Sequence, residues 1–241
     1  MMKQMLGRAS HAALDLLFPP QCALCHRAGS LLCDGCADDL PPADGRRCDC
    51  CWMPLARRTA RLGGRLCRHC AEAPPSFDAL RSPFVMEAGA RRLAHELKYE
   101  GMTALAGPMA QLILARTEGP AAQTADVVVP VPLHRARERS RGYNQAAMLA
   151  RSIAAGAHLP CDARAVRRTR NTEPLAKTMH REERLAIMRG AFAARPERAE
   201  GRRVLLVDDV ATTGATLDAC GAALLAAGAR SVRCLTWARA D

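Results

Sequence analysis

This chain reads as an α/β protein, with a mainly parallel sheet and its helices over residues 77–241 and a small cysteine-rich module ahead of them. Three observations carry that reading. From Phe77 onward, short β-branched apolar runs alternate with helical patterns, the rhythm of strand–helix–strand units. One of these units, Val204 to Thr216, passes from a buried strand through two acids into a small polar loop. Nine of the twelve cysteines lie between Cys22 and Cys70, far denser than an α/β core requires.

The Val204–Thr216 unit is the most informative. Val204-Leu205-Leu206-Val207 fits a strand buried on both faces. Asp208 and Asp209 are expected at its end, followed by Ala211, Thr212, Thr213, Gly214, Ala215 and Thr216. Leu217 to Ala227 is Ala/Leu-rich and reads as a helix ended by Gly228. A strand, a loop of small residues and a helix N-terminus at the carboxyl edge of a parallel sheet make an anion site, with backbone N–H groups facing a phosphate. Two adjacent carboxylates there would repel a phosphate unless they bind something else. Ribose hydroxyls and a magnesium ion suit them.

The cysteines fall into four Cys-x2-Cys knuckles: Cys22/Cys25, Cys33/Cys36, Cys48/Cys51 and Cys67/Cys70. Each knuckle turns two thiolates to one side, and two knuckles complete a four-sulfur shell for structural zinc. Eight ligands imply two zincs. Consecutive pairing is the simpler arrangement, although spacing alone also permits interleaving. Iron–sulfur ligation uses four cysteines too; the paired, ribbon-like spacing favours zinc. With few large apolar residues, this segment depends on metal, on the order of 10 kcal/mol per site. Cys50 is left over as a spare thiol, or as the ligand if the turn shifts by one. His26 and His69 are read as neighbours of ligands. No secretory leader is legible, so metal explains the cysteines better than disulfides.

The chain has 241 residues with 49% hydrophobic and 3% aromatic content, so its core rests on Ala, Leu and Val. Its net charge of +11 comes from 35 basic and 24 acidic residues, and suits a polyanionic substrate or partner, or reflects an Arg-rich codon bias. No run approaches the roughly 18–20 apolar residues of a membrane span. Residues 1–20 are expected to form a short amphipathic helix, residues 21–73 the metal module, and the location is expected to be cytoplasmic, with no stable membrane insertion.

Pro74-Pro75-Ser76 marks the boundary, and Phe77–Val85 reads as an edge strand broken by Pro83. Helices are expected over Ala88–Tyr99, Leu105–Arg116, Ala146–Ala155 and His180–Met188. Asp126–His134 is expected to be a short buried strand ending in prolines, followed by Arg135, Arg137, Arg139 and Arg141. Extended pieces are read near Ala165-Val166 and Ala191-Phe192, and a last strand over Val232–Trp237. The two strand ends Pro130–His134 and Asp208–Thr216 should meet at one sheet edge. His134 reads as a general base or as a capping residue, and Lys98-Tyr99 as an exposed helix end or a ligand contact.

Val204–Thr216 closely resembles the signature loop of the type I phosphoribosyltransferases. That resemblance implies that Asp208 and Asp209 contact the ribose hydroxyls of phosphoribosyl pyrophosphate, that Ala211 to Thr216 wrap its 5-phosphate, and that magnesium accompanies it. It also implies that Val131 to Arg135 bind the pyrophosphate, with Arg141 and Lys98 adding charge. No catalytic residue is assigned. Leu97-Lys98-Tyr99, Pro130-Val131-Pro132-Leu133, Arg139-x-Arg141-Gly142-Tyr143-Asn144-Gln145, Arg170-x-Thr172-x-Pro174 and Glu183-Arg184 join the cysteine module in resembling the ComF family. The resemblance covers the chain from Cys22 onward. It implies a double zinc ribbon before a phosphoribosyltransferase-like domain, and a part in DNA uptake and natural transformation, with single-stranded DNA or a helicase-like competence protein as partner. A nucleobase salvage enzyme and a non-catalytic phosphoribosyl pyrophosphate sensor are the rival readings. Tyr143 stands where Phe is more usual, Leu175 where Gln is common, and Trp52 where Gly often follows the third knuckle.

Overall fold

The computed structural model describes residues 19–56, 64–117, 124–171 and 181–240. The amphipathic segment expected before residue 19 lies outside them, as do Thr172, Pro174 and Leu175 of the polar motif.

Five parallel strands form the main sheet: β1 (Ala79–Arg81), β2 (Phe84–Val85), β3 (Val127–Pro130), β6 (Arg203–Ala211) and β7 (Ser231–Arg239). The strand order is β1-β7-β6-β3, with β2 continuing beside β7. The broken edge strand is therefore real: Ala79–Arg81 pairs with Arg233–Leu235, and Phe84–Val85 resumes opposite Ala238–Arg239. Pro83 lies between the two pairings, and its missing N–H is harmless at an edge.

The two core strands bury both faces, so their residues alternate between two apolar layers. Leu205, Val207, Leu235 and Trp237 face one layer with Val128. It is covered by α3 (Ala88–Tyr99), α4 (Ala106–Arg116) and α6 (Gln145–Gly156), through Leu93, Leu97, Met109, Ile113, Leu149 and Ile153. Val127, Val129, Val204, Leu206, Val232 and Cys234 face the other. There Leu217, Cys220 and Leu224 of α9 (Ala215–Ala226) pack on the sheet. A separate antiparallel pair, β4 (Val166–Arg168) with β5 (Phe192–Ala194), stands on that side with α7 (Arg181–Met188) and the short α8 (Pro196–Ala199).

One expectation needed correction, and two features were not anticipated. The acids do not follow the strand but lie within it: β6 runs to Ala211, with Asp208 opposite Thr236 and Val210 opposite Ala238. A neighbouring strand as long as β7 keeps the ladder going past the carboxylates. The arginine run after His134 is a helix, α5 (Arg135–Arg141), closed by Gly142 at φ 85°. Finally, the pairing of β4 with β5 was not anticipated, since neither three-residue strand has a readable period.

The cysteine module contains two copies of one device. In the first, Cys22 N–H donates to Arg27 O at 2.9 Å, and His26 N–H donates to Cys22 O at 2.8 Å. In the second, Cys48 N–H donates to Met53 O at 2.8 Å, and Trp52 N–H donates to Cys48 O at 3.0 Å. His26 and Trp52 both take φ 62°, the left-handed conformation that usually favours glycine. Each copy ends by entering a short helix, α1 (Asp34–Asp38) or α2 (Arg68–Glu72), directly after Cys33 or Cys67.

The copies dock on different parts of the α/β domain. In the first, Leu24 O accepts from Arg92 of α3 at 3.2 Å and Ala37 O from Arg116 of α4 at 3.2 Å. The second lies along β1, where Leu80 N–H donates to Cys50 O at 2.7 Å.

Candidate functional site

Asp208 and Asp209 sit near the carboxyl end of β6, between the ends of β3 and β7. Val131 N–H donates to Val207 O at 2.8 Å, which brings the loop after β3 alongside the acidic pair. Beyond the strand, Thr212 and Thr213 lead to Gly214 at φ 80°, the N-cap of α9. Glycine is suited to that left-handed position. Thr213 Oγ1 accepts weakly from Ala215 N–H at 3.4 Å, and Thr212 Oγ1 accepts from Arg184 Nη1 at 3.1 Å.

The two acids have different surroundings. Lys98 Nζ lies 3.1 Å from Asp209 Oδ2, while Gln145 Nε2 donates to Asp209 Oδ1 at 3.3 Å. Asp208 Oδ1 accepts from the Asp209 N–H at 2.9 Å. Burial and the neighbouring Asp209 charge push the Asp208 carboxyl well above its ordinary range. Burial acts the same way on Asp209, but the Lys98 ammonium and the hydrogen bonds override it and hold that group low. Asp209 in turn raises Lys98. The pair thus favours one charged and one protonated carboxyl, as adjacent acids do.

Around Asp209 the contacts form a closed circuit. Arg141 Nη1 donates to Gln145 Oε1 at 2.5 Å, and the Arg141 guanidinium lies 5.3 Å from the centre of the Tyr99 ring. Tyr99 follows Lys98 in the last turn of α3. Tyr143 OH donates to Leu97 O at 2.6 Å, tying the end of α3 to the turn before α6. Tyr where Phe is usual therefore adds a hydrogen bond.

Asn144 organises the neighbouring loop. Its Oδ1 caps α6 by accepting from Ala146 N–H at 3.0 Å and Ala147 N–H at 3.4 Å. Its Nδ2 donates to Val131 O at 3.0 Å, so one side chain holds both the helix start and the loop Val131–Arg135. His134 caps α5, its Nδ1 accepting from Ala136 N–H at 3.3 Å, which favours the capping alternative over the general base. Arg135 is exposed at the start of that helix.

Asp208, Asp209, Lys98, Arg141, Val131 and the Thr212–Thr216 loop are therefore neighbours at one edge. Gln145 and Arg184 also belong there. Both fall inside motifs legible in the chain, but nothing in their spacing showed that one would bond Asp209 and the other Thr212.

The cysteines separate into Cys22/Cys25/Cys33/Cys36 and Cys48/Cys51/Cys67/Cys70, with the sulfurs of each set all within 4.8 Å of one another. Four thiolates around one zinc at about 2.3 Å stand about 3.8 Å apart, so both sets fit the ion with a small contraction. The pairing is consecutive. Cys50 is outside both sets, its Sγ 3.7 Å from Phe77 O. All-sulfur shells leave no open position, which suits structural metal.

Two family models match the chain. The double zinc ribbon domain matches residues 13–71, and the phosphoribosyl transferase domain matches residues 110–240. The DNA utilization protein YhgH of Escherichia coli K12 is 33% identical over 150 residues, covering 58% of this chain and 63% of that protein. The competence protein ComFC of Bacillus subtilis is 38% identical over 114 residues, covering 47% of this chain and 44% of that protein. The match thus spans roughly half to under two thirds of these relatives' length. A glutamine phosphoribosylpyrophosphate amidotransferase from B. subtilis, solved with ADP and GMP, is similar over 59% of this chain and 30% of that one, at 18% identity and a TM-score of 0.41. Fold and site together define a phosphoribosyl transferase domain carried behind a double zinc ribbon. The chain belongs to the phosphoribosyl transferase domain family, with a double zinc ribbon ahead of that domain.

Proposed function

We propose that this protein binds phosphoribosyl pyrophosphate with magnesium and acts in DNA uptake or utilisation. The observation that carries the ligand is the acidic pair of β6 leading into Thr212–Gly214 and the N-terminus of α9. That helix is 12 residues long, so its dipole and first N–H groups favour an anion. In this reading Ala211 to Thr216 hold the 5-phosphate and Asp208 and Asp209 the ribose hydroxyls. The loop Val131 to Arg135, with Arg141, receives the pyrophosphate. Lys98 holds Asp209 in the free protein, so ribose hydroxyls would displace it and leave its ammonium for the pyrophosphate. Magnesium fits this oxygen-rich surrounding, with the ligand's own oxygens completing its shell; bound, it would neutralise charge on the leaving group.

The role in DNA rests on the names of the relatives, one for DNA utilisation and one for competence. Single-stranded DNA or a helicase-like competence protein is the partner in this reading, and the protein works in the cytoplasm. Among the described residues no helix is long and apolar enough to cross a membrane.

Incubation of the zinc-loaded protein with labelled phosphoribosyl pyrophosphate, magnesium and a panel of nucleobases tests the chemistry. The expected result is retention of the label by the protein. Transfer to a base would show a salvage enzyme, and no retention would overturn the ligand. Salt-dependent binding to single-stranded DNA tests the partner: a slope of log affinity against log salt is expected for DNA, and none for a protein-only partner.

A further inference from the structure

We propose that Cys50 is an oxidation site, at which peroxide couples its sulfur to that of Cys70 and so releases the zinc of the second cysteine set. The ribbon's own repeat sets Cys50 apart. Superposing the two knuckles places Cys22 with Cys48, Cys25 with Cys51, and His26 with Trp52, the two left-handed residues. Leu24 then stands where Cys50 does. Both positions dock their copy through the backbone: Leu24 O accepts from Arg92 at 3.2 Å, and Cys50 O from Leu80 N–H at 2.7 Å. Leu24 also packs its side chain on the core of the α/β domain. An apolar side chain therefore meets the docking requirement, and a fifth sulfur is not required for it.

The placement of that sulfur points to the ligands beside it. Cys50 packs against the cluster of Cys48, Cys51 and Cys70, and its side chain is in hydrogen-bonding contact with that of Cys70. Cys50 is half-buried, whereas Cys70 is 2% exposed. A small oxidant arriving from solvent therefore meets Cys50 before the ligand behind it. The first set has no such neighbour, because the chain holds no fifth cysteine before Cys48. None of these residues belongs to the sheet edge assigned to phosphoribosyl pyrophosphate.

Peroxide is the two-electron oxidant. The Cys50 sulfur attacks one peroxide oxygen: the S–O bond forms, the O–O bond breaks, and the thiol proton leaves with the departing oxygen as water. The Cys70 thiolate then attacks the Cys50 sulfur: the S–S bond forms, the S–O bond breaks, and hydroxide departs. Two electrons pass from the two sulfurs to peroxide, and none comes from the metal. Three thiolates remain in the set, one short of a closed structural shell. The same knuckle is the ribbon's hold on the sheet edge. Besides the Cys50–Leu80 bond, Arg81 Nη1 donates to Asp49 O at 2.8 Å and Trp52 Nε1 donates to Ser82 O at 2.8 Å. Oxidation should therefore loosen the second half of the ribbon from β1 and leave the first half on α3 and α4.

The test treats the full-length, zinc-loaded protein with hydrogen peroxide. Released zinc is followed with a metallochromic chelator, and disulfides are mapped by mass spectrometry. Two phases are expected: a fast one that frees one zinc per chain together with a Cys50–Cys70 disulfide, and a slow one that frees the other. Cys50→Ser, and Cys50→Leu after the first copy, should both hold two zincs before oxidation. Each should slow the fast phase about tenfold, because attack then falls to buried, metal-bound sulfurs. A single phase for both zincs, a fast phase without a disulfide at Cys50, an unchanged rate in the two variants, or loss of zinc from both before oxidation would overturn the proposal.

Discussion

The ammonium of Lys98 stands 3.1 Å from the Asp209 carboxylate, joining the last turn of α3 to the central strand where the ligand site is proposed. Asp209 is 3% exposed, so its charge depends on that contact and on Gln145 rather than on water. Replacing Lys98 by Met should destabilise the protein by about 2–3 kcal/mol, because it strands a buried carboxylate. A second change, Asp209→Asn, should recover part of that loss. Urea unfolding of the two single variants and the double variant measures the coupling, and simple additivity would contradict it.

The acidic pair should also show itself in the pH dependence of stability. Both groups start from an ordinary value of 3.8. Asp209 is held below it, so its contribution is present above pH 3.8 and is lost as pH falls through the lowered value. Asp208 is raised, so its contribution is present below pH 3.8 and is lost as pH rises through its folded value. Asp208→Asn should therefore gain stability relative to the parent as pH rises from 3.8 towards that value. Urea midpoints at pH 5 and pH 8 check this; an equal difference at the two would count against a raised Asp208.

Asn144→Ala removes a helix cap and the donor to Val131 O together. Loss of the cap alone costs about 1 kcal/mol, and the total should reach about 2 kcal/mol with the freed carbonyl included. Because the same side chain positions the loop Val131–Arg135, affinity for pyrophosphate should fall more than stability does. Parallel unfolding and pyrophosphate titrations separate the two effects.

The cysteine sets predict two zincs per chain, with Cys51 and not Cys50 as a ligand. Cys50→Ser should keep two zincs, and Cys51→Ser should lose one. Metal analysis of freshly purified protein decides this, and iron in place of zinc would contradict the assignment.

Much of this architecture was legible because its signals are local. The boundaries of α3 follow from Leu93 and Leu97 four apart and from Gly101 beyond. The acidic pair and Gly214 announce a ligand loop through residue type alone. The ribbon's four knuckles are legible from spacing, while their consecutive pairing comes from where the fold places the sulfurs. What escaped was set by partners distant in sequence. Asp208 and Asp209 stay within β6 because β7, over twenty residues later, extends alongside them. Gln145 reaches Asp209 across 64 residues. Met53 lies in the metal module yet lines a cavity of the α/β domain, a relationship no local pattern carries.

The central claim is that the acidic pair of β6 holds the ribose of phosphoribosyl pyrophosphate. Calorimetric titration of that ligand, with magnesium, into the parent and into Asp208→Asn with Asp209→Asn tests it most directly. The account predicts saturable binding by the parent and none by the double variant, with zinc content equal in both. Unchanged affinity in the double variant would contradict it.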